Sequence, residues 1–234
     1  MRKKRGEEKK LTLGDKLYRI LIQGGSWQTI LRGLGVTVLI SSLSLLIGTV
    51  LGALICLLRT RKNRFLRGVA SVYIAVLRGT PVLMLLLLLF FGVLTKYGVP
   101  PLMVAVITFS LNVSAHIAEL LRAAWEAADA GQAEAARTLG FSAWHAFRLV
   151  TLPQILRTAR PVYQSTVVNL VQWTSVVGYV TITDLTRVIN NTASRTMQPL
   201  LTITLGMLIY LGLSYLIYGL FALTDPDRKG RKAE

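Results

Sequence analysis

Residues 131–153 read GQAEAARTLGFSAWHAFRLVTLP, a segment that is helical in pattern but too polar to lie in lipid. Its first part, 132–139, is rich in Ala, Glu and Arg, which favour helix. Gly140 is placed to end that helix, and Ser142 is placed to cap a second one. Pro153 is expected to end the second helix and to begin the next part of the chain. The segment therefore predicts two short helices joined at a glycine.

Long apolar runs flank this segment on both sides. The ranges 33–58, 161–183 and 196–224 contain no charged residue, and each is longer than the roughly 20 residues that cross a hydrocarbon core of about 30 Å. The ranges 79–95 and 97–115 are shorter but similarly apolar. Only 16% of the residues are charged and the mean hydropathy is +0.52, whereas a soluble domain carries about 25% charged residues. The sequence predicts an all-α polytopic membrane protein.

About five transmembrane helices account for these runs, at about 29–58, 70–95, 100–122, 157–181 and 199–223. The expected domain organisation follows from their limits: a polar and amphipathic N-terminal segment (1–27), a transmembrane domain (28–224) with an insert at about 124–156, and a cytoplasmic tail (225–234).

The positions of the charges predict the orientation. A net charge of +16 is compatible with nucleic-acid binding. However, Lys and Arg cluster at 59–67, over 122–160 and at 228–232, in and around the loops 59–68, 123–156 and 225–234, whereas only Lys96 lies in 96–99 and only Arg187 and Arg195 lie in 183–197. Basic loops stay on the cytoplasmic side of a membrane. We therefore expect the insert to be cytoplasmic, the N-terminus to lie outside despite its own positive charge, and no nucleic acid to be bound.

Several kinds of chemical site are not expected in this chain. Cys56 is the single cysteine, and His145 has no second ligand nearby, so we expect no disulfide and no metal site. The sequence contains no G-x-x-x-x-G-K-[ST] loop to hold ATP and no Ser/His/Asp set for hydrolysis. We therefore expect a protein that is not an enzyme and that binds no cofactor itself.

Polar residues inside the third predicted span share one helical face. Asn112, His116, Glu119 and Arg122 follow one another at steps of four, three and three residues. Polar groups in a membrane face the bundle interior or a transport pathway, so Asn112 and His116 are candidate pathway residues. The alternative is contact between helices, with Glu119 and Arg122 paired near the cytoplasmic end.

The fourth predicted span carries a second polar set. Asn169 and Gln172 share a face, and Thr174 and Ser175 follow them. These four residues are candidates for the substrate pathway. Small and polar residues also let membrane helices approach one another, so a dimer interface is the alternative.

The insert resembles the signature of the membrane subunits of binding-protein-dependent ABC importers, which is E-A-A, three residues, G, nine residues and I-x-L-P. Val150 stands in the place of the Ile. The remaining matches to the signature are Glu134, Ala135, Ala136, Gly140, Leu152 and Pro153. The insert also resembles one branch of that family, the polar amino-acid branch, at Gly131 and Gln132. That branch transports histidine, glutamine, arginine and related substrates. By this resemblance, these eight residues form the coupling to an ATPase subunit.

Other motifs extend the resemblance over most of the chain. The segment 78–81 is similar to the branch's R-G-T-P, in which Arg78 is expected to be structural and to begin a turn on the cytoplasmic side, with its backbone fixed by Pro81. One departure concerns 172–173, where Gln-Trp stands in place of the Lys-Asp or Lys-Glu of many relatives. That departure leaves the charge class of the substrate open.

The resemblance implies a permease subunit of an ATP-driven importer with a type I transmembrane fold. Its implied partners are an ATP-binding cassette ATPase that carries ATP and Mg, a second permease subunit, an extracytoplasmic amino-acid-binding protein, and the lipid of a bacterial cytoplasmic membrane. The alternatives are a secondary transporter, for which inverted repeats with broken helices are typical, and a membrane scaffold that docks an ATPase without transport. The sequence leaves open which amino acid is transported and whether the permease forms a homodimer or a heterodimer.

Overall fold

The fold, a computed structural model, is described for residues 12–224, all of whose regular structure is helical. The α-helices are α1 (Leu13–Leu21), α2 (Ser26–Arg59), α3 (Arg64–Gly79), α4 (Val82–Leu87), α5 (Pro101–Glu126), α6 (Ala130–Thr138), α7 (Ala143–Ala146), α8 (Leu152–Trp173), α9 (Leu185–Thr196) and α10 (Pro199–Leu223). The all-α prediction is confirmed. The predicted tail, 225–234, and the first eleven residues of the N-terminal segment lie outside the described residues.

Within residues 12–224, three helices, α2, α5 and α10, are long and apolar enough to cross a membrane. They match the first, third and fifth predicted spans. Helix α5 is the central one, because 67% of its most apolar window is buried, compared with 28% for α2 and 17% for α10. Its side chains Phe109, Val113 and Ile117 are fully buried in the main core.

Helix α2 packs against α5 through its small residues. A Cβ atom on Gly48 would lie 2.2 Å from Cγ1 of Val113, and a Cβ on Gly52 would lie 2.8 Å from Cβ of Ile117. Small residues at a helix–helix contact are typical of membrane proteins, since they allow the backbones to approach closely. The large aliphatic side chains of α2 are exposed on its other face: Leu39, Leu43, Leu46, Ile47, Val50 and Leu54. This distribution fits a helix surrounded partly by lipid.

The second predicted span, 70–95, is not one helix. The chain bends by 106° between Arg64–Gly79 and Val82–Val93. Thr80 has an extended backbone with ψ 140°, as expected before a proline, and Pro81 supplies no N–H to continue the helix. The segment is therefore not one straight helix, and the R-G-T-P segment is the break within it.

The fourth predicted span, 157–181, also differs from the structure. Helix α8 begins earlier and ends at Trp173, where a 3₁₀ segment, Thr174–Val180, continues the chain. Among the described residues, three helices, or four if the bent pair counts as one span, are long and apolar enough to cross a membrane, and α8 is not among them. Arg157, Arg160 and several polar residues reduce its hydropathy.

The segment 183–197, predicted as an external loop, contains helix α9. Asp184 caps this helix by accepting hydrogen bonds from the backbone N–H groups of Thr186 and Arg187, both at 3.0 Å. Its apolar side is buried against α2 and α10. Burial also raises the pKa of the Asp184 carboxyl above its ordinary value.

The N-terminal amphipathic segment forms helix α1, as predicted. Thr12 caps it in a capping box with Asp15, and the Thr12 hydroxyl holds the pKa of the Asp15 carboxyl below its ordinary value. Ile20 is buried, and α1 rests on α9. The chain then turns at Gly25, which has a φ of +71°.

Candidate functional site

The polar insert begins where α5 ends. Asp129 caps α6 by accepting a hydrogen bond from the backbone N–H of Gly131 at 2.8 Å. Ala136 is buried beneath the helix, whereas Gln132, Glu134 and Ala135 are exposed. Helix α6 therefore presents its polar and small side chains outward, with Ala136 as its inner contact.

Gly140 ends α6 in a Schellman motif. The N–H of Phe141 donates to the carbonyl of Ala136 at 3.2 Å, and the N–H of Gly140 donates to the carbonyl of Arg137 at 3.0 Å. Gly140 has a φ of +90°, a conformation that L-residues rarely adopt. The sequence prediction that this glycine terminates the first helix of the insert is confirmed.

The second helix of the insert starts at Ser142, as predicted. Its hydroxyl accepts a hydrogen bond from the N–H of His145 at 3.3 Å. Helix α7 then passes into a π-helical turn, Phe147–Thr151, and directly into α8. Leu152 and Pro153 lie in the first turn of α8, so the expectation that Pro153 ends the second helix is wrong. The wider π-helical turn accommodates the proline, which cannot donate a hydrogen bond.

The surface of the insert is unusually apolar for a polar connector. Leu139 is 80% exposed and Trp144 is 63% exposed. Behind them, Phe147 lies between Trp125 and Trp144, with ring centroids 5.6 Å and 5.8 Å apart respectively. The aromatic row joins the end of α5 to the second helix of the insert, while the exposed side chains remain available to a partner.

The polar residues of α5 are mainly engaged within the chain. Asn112 is buried, and its Nδ2 donates to the carbonyl of Leu77 at 3.0 Å, in the last turn of α3 before the break. The imidazole of His116 packs on the indole of Trp173, with ring centroids 4.9 Å apart. Both residues thus connect α5 to neighbouring elements, and their role in a pathway stays a prediction.

An ion-pair network lies toward the end of α5 that adjoins the insert. The guanidinium of Arg122 donates to both carboxylate oxygens of Glu119, at 3.1 and 2.6 Å, and also contacts Glu126. Arg59, at the end of α2, lies 4.0 Å from Glu119. The predicted pairing of Glu119 with Arg122 is confirmed.

The candidate pathway residues of the fourth predicted span do not form one cluster. Asn169 and Gln172 are exposed on the surface of the described chain, and Ser175 is half-buried. Thr174 is fully buried, and its hydroxyl donates to the carbonyl of Val171 at 2.7 Å. Gln172 also lines a groove of about 480 Å³ beside α9 and α10. The structure therefore presents two of these residues to the surface and places Thr174 inside.

The family of binding-protein-dependent transport system inner membrane components matches residues 27–230. The chain belongs to this family. Its motifs and its polar insert are therefore those of a membrane component of a transport system, and the fold is that of an ABC importer transmembrane domain.

Individual relatives agree with this assignment. The probable amino-acid ABC transporter permease protein YckA of Bacillus subtilis is 38% identical over 162 residues, which cover 68% of this chain and 71% of YckA. The L-cystine transport system permease protein TcyB of the same organism is 33% identical over 195 residues, covering 82% and 83%. A crystal structure of an amino acid ABC transporter with histidines superposes with a TM-score of 0.76 at 30% identity, covering 85% of this chain and 93% of that one.

One residue of the insert in this family member was not assigned a role from the sequence. The side chain of Gln154 accepts a hydrogen bond from the backbone N–H of Asp129 at 3.1 Å and donates to the side chain of Gln132 at 2.8 Å. It thereby ties the start of α6 to the start of α8. Its position next to Pro153 was the available signal, but no local pattern indicates a contact with a residue 22 positions away.

Proposed function

We propose that this subunit is the permease of an ATP-driven ABC importer that moves a polar amino acid across the bacterial cytoplasmic membrane. Family membership supports the transport role, and the names of the relatives support the substrate class. The observation that carries the coupling role is the insert itself, a braced pair of short helices with exposed apolar side chains at its tip.

The insert has the properties that a mechanical joint needs. A joint must be stiff toward its own subunit. Here the Gln154 hydrogen bonds tie α6 to α8, the aromatic row fixes α7 against α5, and the Schellman turn at Gly140 ends α6 just before α7. It must also offer a surface to its partner, which Leu139 and Trp144 provide. We propose that this surface docks on an ATP-binding cassette ATPase, which binds ATP and Mg and hydrolyses the nucleotide.

A second permease subunit completes the proposed transporter. Helix α8 exposes a polar stripe that includes Asn169 and Gln172. Exposed polar side chains at membrane depth are costly in lipid, so this face is expected to meet the other permease or the pathway between the two. The partner is a copy of this chain or a homologue.

The proposed cycle follows from these parts. ATP binding closes two ATPase subunits, their movement displaces the two inserts, and the permeases rock between outward-open and inward-open states. An extracytoplasmic binding protein delivers the amino acid. Because energy enters through the ATPase, this mechanism differs from that of the secondary transporter, even though the broken helix between α3 and α4 is a feature that such transporters also have.

The test is recovery of the complex in mild detergent from native membranes, with the copurified proteins identified by mass. The wild-type subunit is expected to bring down an ATP-binding protein, and the Gly140→Asp variant to lose it, since Asp is strained at a φ of +90°. Ser142→Asp is the matched control, because it adds the same charge two residues away and still caps α7. Recovery of no ATPase with the wild-type subunit, under conditions that keep the complex intact, would contradict the coupling role.

Transport itself requires a second measurement. The assembled complex in lipid vesicles, supplied with ATP and the binding protein, is expected to accumulate a radiolabelled polar amino acid. A complex that hydrolyses ATP but accumulates none of the standard amino acids would favour the scaffold alternative.

A further inference from the structure

The break between α3 and α4 lies beside the middle of α5, not beside the end that adjoins the insert. The carbonyl of Leu77 accepts the hydrogen bond from Asn112, and Asn112 is the twelfth of the 26 residues of α5. At a rise of about 1.5 Å per residue, Asn112 is roughly 16 Å from one end of that helix and roughly 21 Å from the other. Arg78, the next residue after Leu77, therefore starts at mid-depth, where the sequence alone had suggested a cytoplasmic turn.

The side chain of Arg78 is exposed at this depth and forms no ion pair within 4.0 Å among the described residues. Among the described residues, the ion pairs within 4.0 Å involve Arg59 and Arg122 and not Arg78. Its guanidinium lies within electrostatic range of the His116 imidazole. A guanidinium is rarely placed against lipid at the centre of a bilayer, and charged groups there face a cavity or a pathway. Arg78 therefore requires an anion or water in the assembled transporter.

The carboxylates of the described chain are engaged by other groups or lie away from mid-depth. Four of the six acidic residues between 12 and 224 lie away from mid-depth: Asp15 caps α1, Glu126 ends α5, and Asp129 and Glu134 belong to the insert. Of the other two, Glu119 lies within electrostatic range of Arg78, but both of its oxygens accept hydrogen bonds from Arg122. Asp184 is fully buried, and both of its oxygens cap α9.

We infer that Arg78 binds the carboxylate of the transported amino acid, and that the site accepts substrates whose side chains carry no positive charge. This inference rests on the proposed function. A guanidinium offers two parallel N–H donors that match a carboxylate, and an amino acid always supplies one. A lysine or arginine side chain would add a second cation beside Arg78, with no free carboxylate from the described part of this chain to compensate for it.

The position of Arg78 is fixed by the residues around it. Asn112 holds the last turn of α3 through Leu77, and its own Oδ1 has no hydrogen-bond partner among the described residues although it is buried. Tyr73, one turn earlier on α3, contacts the Ser114 hydroxyl at 2.7 Å and donates to the carbonyl of Leu111 at 3.2 Å. These contacts hold the end of α3 against α5, so the guanidinium is presented from a rigid support.

The experiment uses the purified permease–ATPase complex without the binding protein, so that only the membrane site selects. Binding of each of the standard amino acids in radiolabelled form is measured, and then that of the best-bound amino acid and of its carboxamide, in which the carboxylate is replaced by a neutral amide. The wild-type complex is expected to bind the acid at least about tenfold more tightly than the amide, as the loss of a hydrogen bond to a charged group predicts.

Three variants separate binding from structure. Arg78→Gln is expected to bind the acid about tenfold or more weakly and to lose the discrimination between acid and amide, while Arg78→Lys keeps part of both. Arg67→Gln, a charge removal earlier on the same helix, is the control and should bind as the wild type does. The assembly of each complex is checked by its elution volume and its basal ATP hydrolysis.

The outcomes that overturn the inference differ from those that overturn the proposed function. Unchanged affinity and unchanged discrimination in Arg78→Gln would refute the role of Arg78 alone. A preference of the wild-type complex for lysine or arginine would refute the substrate class. If the two permease subunits separate in the Arg78→Gln variant, while the fraction that stays assembled binds the acid as the wild type does, Arg78 belongs to the subunit interface instead. If the assembled wild-type complex hydrolyses ATP but binds and transports no amino acid, the proposed function fails as well.

Discussion

Gly48→Ala is expected to destabilise the subunit because α2 and α5 leave no room for a methyl group. The added Cβ would lie 2.2 Å from Cγ1 of Val113 and 3.0 Å from the backbone oxygen of Ser110. Ordinary contact begins at 3.4 Å, so the overlap with Val113 is 3.4 − 2.2, or 1.2 Å. Val113 is fully buried and β-branched, hence restricted to one rotamer in a helix. The helices must therefore separate.

The magnitude follows from two opposing effects. Overpacking a core costs about 1–3 kcal/mol, and Ala favours helix over Gly by about 1 kcal/mol. Gly35→Ala isolates the second effect, because Gly35 lies on the same helix and a Cβ there would meet nothing within 4 Å. We expect the free energy of unfolding of Gly48→Ala to be about 2 kcal/mol lower than that of Gly35→Ala. This difference corresponds to a thermal midpoint about 4–8 °C lower for a chain of this size.

The assay is thermal unfolding of the detergent-solubilised complex, followed by tryptophan fluorescence and by the loss of the intact elution peak. Val113→Ala removes the clashing methyl and leaves a cavity, so each single variant should be less stable than the wild type. In the double variant, the methyl added at position 48 occupies part of that space, and the two changes should cost at least about 1 kcal/mol less than their sum. Strict additivity, or a Gly48→Ala variant as stable as Gly35→Ala, would refute the close contact.

Three further predictions concern the insert and α9. Gly140→Ala is expected to lower ATP hydrolysis coupled to transport, because a φ of +90° costs an L-residue about 1–2 kcal/mol; normal coupling would show that the turn is not needed. Gln154→Ala removes the bonds to Asp129 and Gln132 and should reduce coupled hydrolysis about three- to tenfold without changing basal hydrolysis, whereas equal loss of both would indicate misfolding. Burial raises the pKa of the Asp184 carboxyl, so its contribution to stability is present below the ordinary value of 3.8 and is lost as the pH rises through the folded-state pKa. Asp184→Asn keeps the cap and should lose less thermal stability over that range, and parallel pH profiles would contradict this.

The sequence predicted best those elements whose signals are local. Helices α2 and α10 follow from uninterrupted apolar runs, and the end of α6 follows from Gly140, because a positive φ at that point requires glycine. The capping role of Ser142 is local in the same sense. Such features depend on a few neighbouring residues and need no knowledge of the tertiary structure.

The bend at Pro81 was missed because hydropathy is continuous across it. An apolar run indicates that a segment avoids water, but it does not indicate in which direction the chain runs. The bend depends on a proline together with a distant contact, the hydrogen bond from Asn112 to the end of α3. Helix α9 was missed for a related reason. Its polar residues are typical of a loop, and its apolar residues pack against α2 and α10, some of whose contacting residues are distant in sequence.

The helical face of α5 was identified correctly, but its surroundings were not predictable. Spacing places Asn112, His116, Glu119 and Arg122 on one side of a helix, yet each of the first three meets a different partner: the end of α3, Trp173 and Arg122. Periodicity determines which residues point in the same direction and leaves open what they meet there. Arg78 became a candidate only when its depth beside α5 and its lack of a close ion pair among the described residues were both known.

The continuity of α7, the π-helical turn and α8 links the two parts of the proposed transporter. Residues 143–173 form one uninterrupted helical path, from the insert to Trp173, whose indole packs on His116 near Arg78. In contrast, α2 and α5 are too closely packed at Gly48 and Gly52 to slide past one another. In the proposed cycle, displacement of the insert by the ATPase is therefore expected to reach the Arg78 site along α8, with α2 and α5 moving as one body.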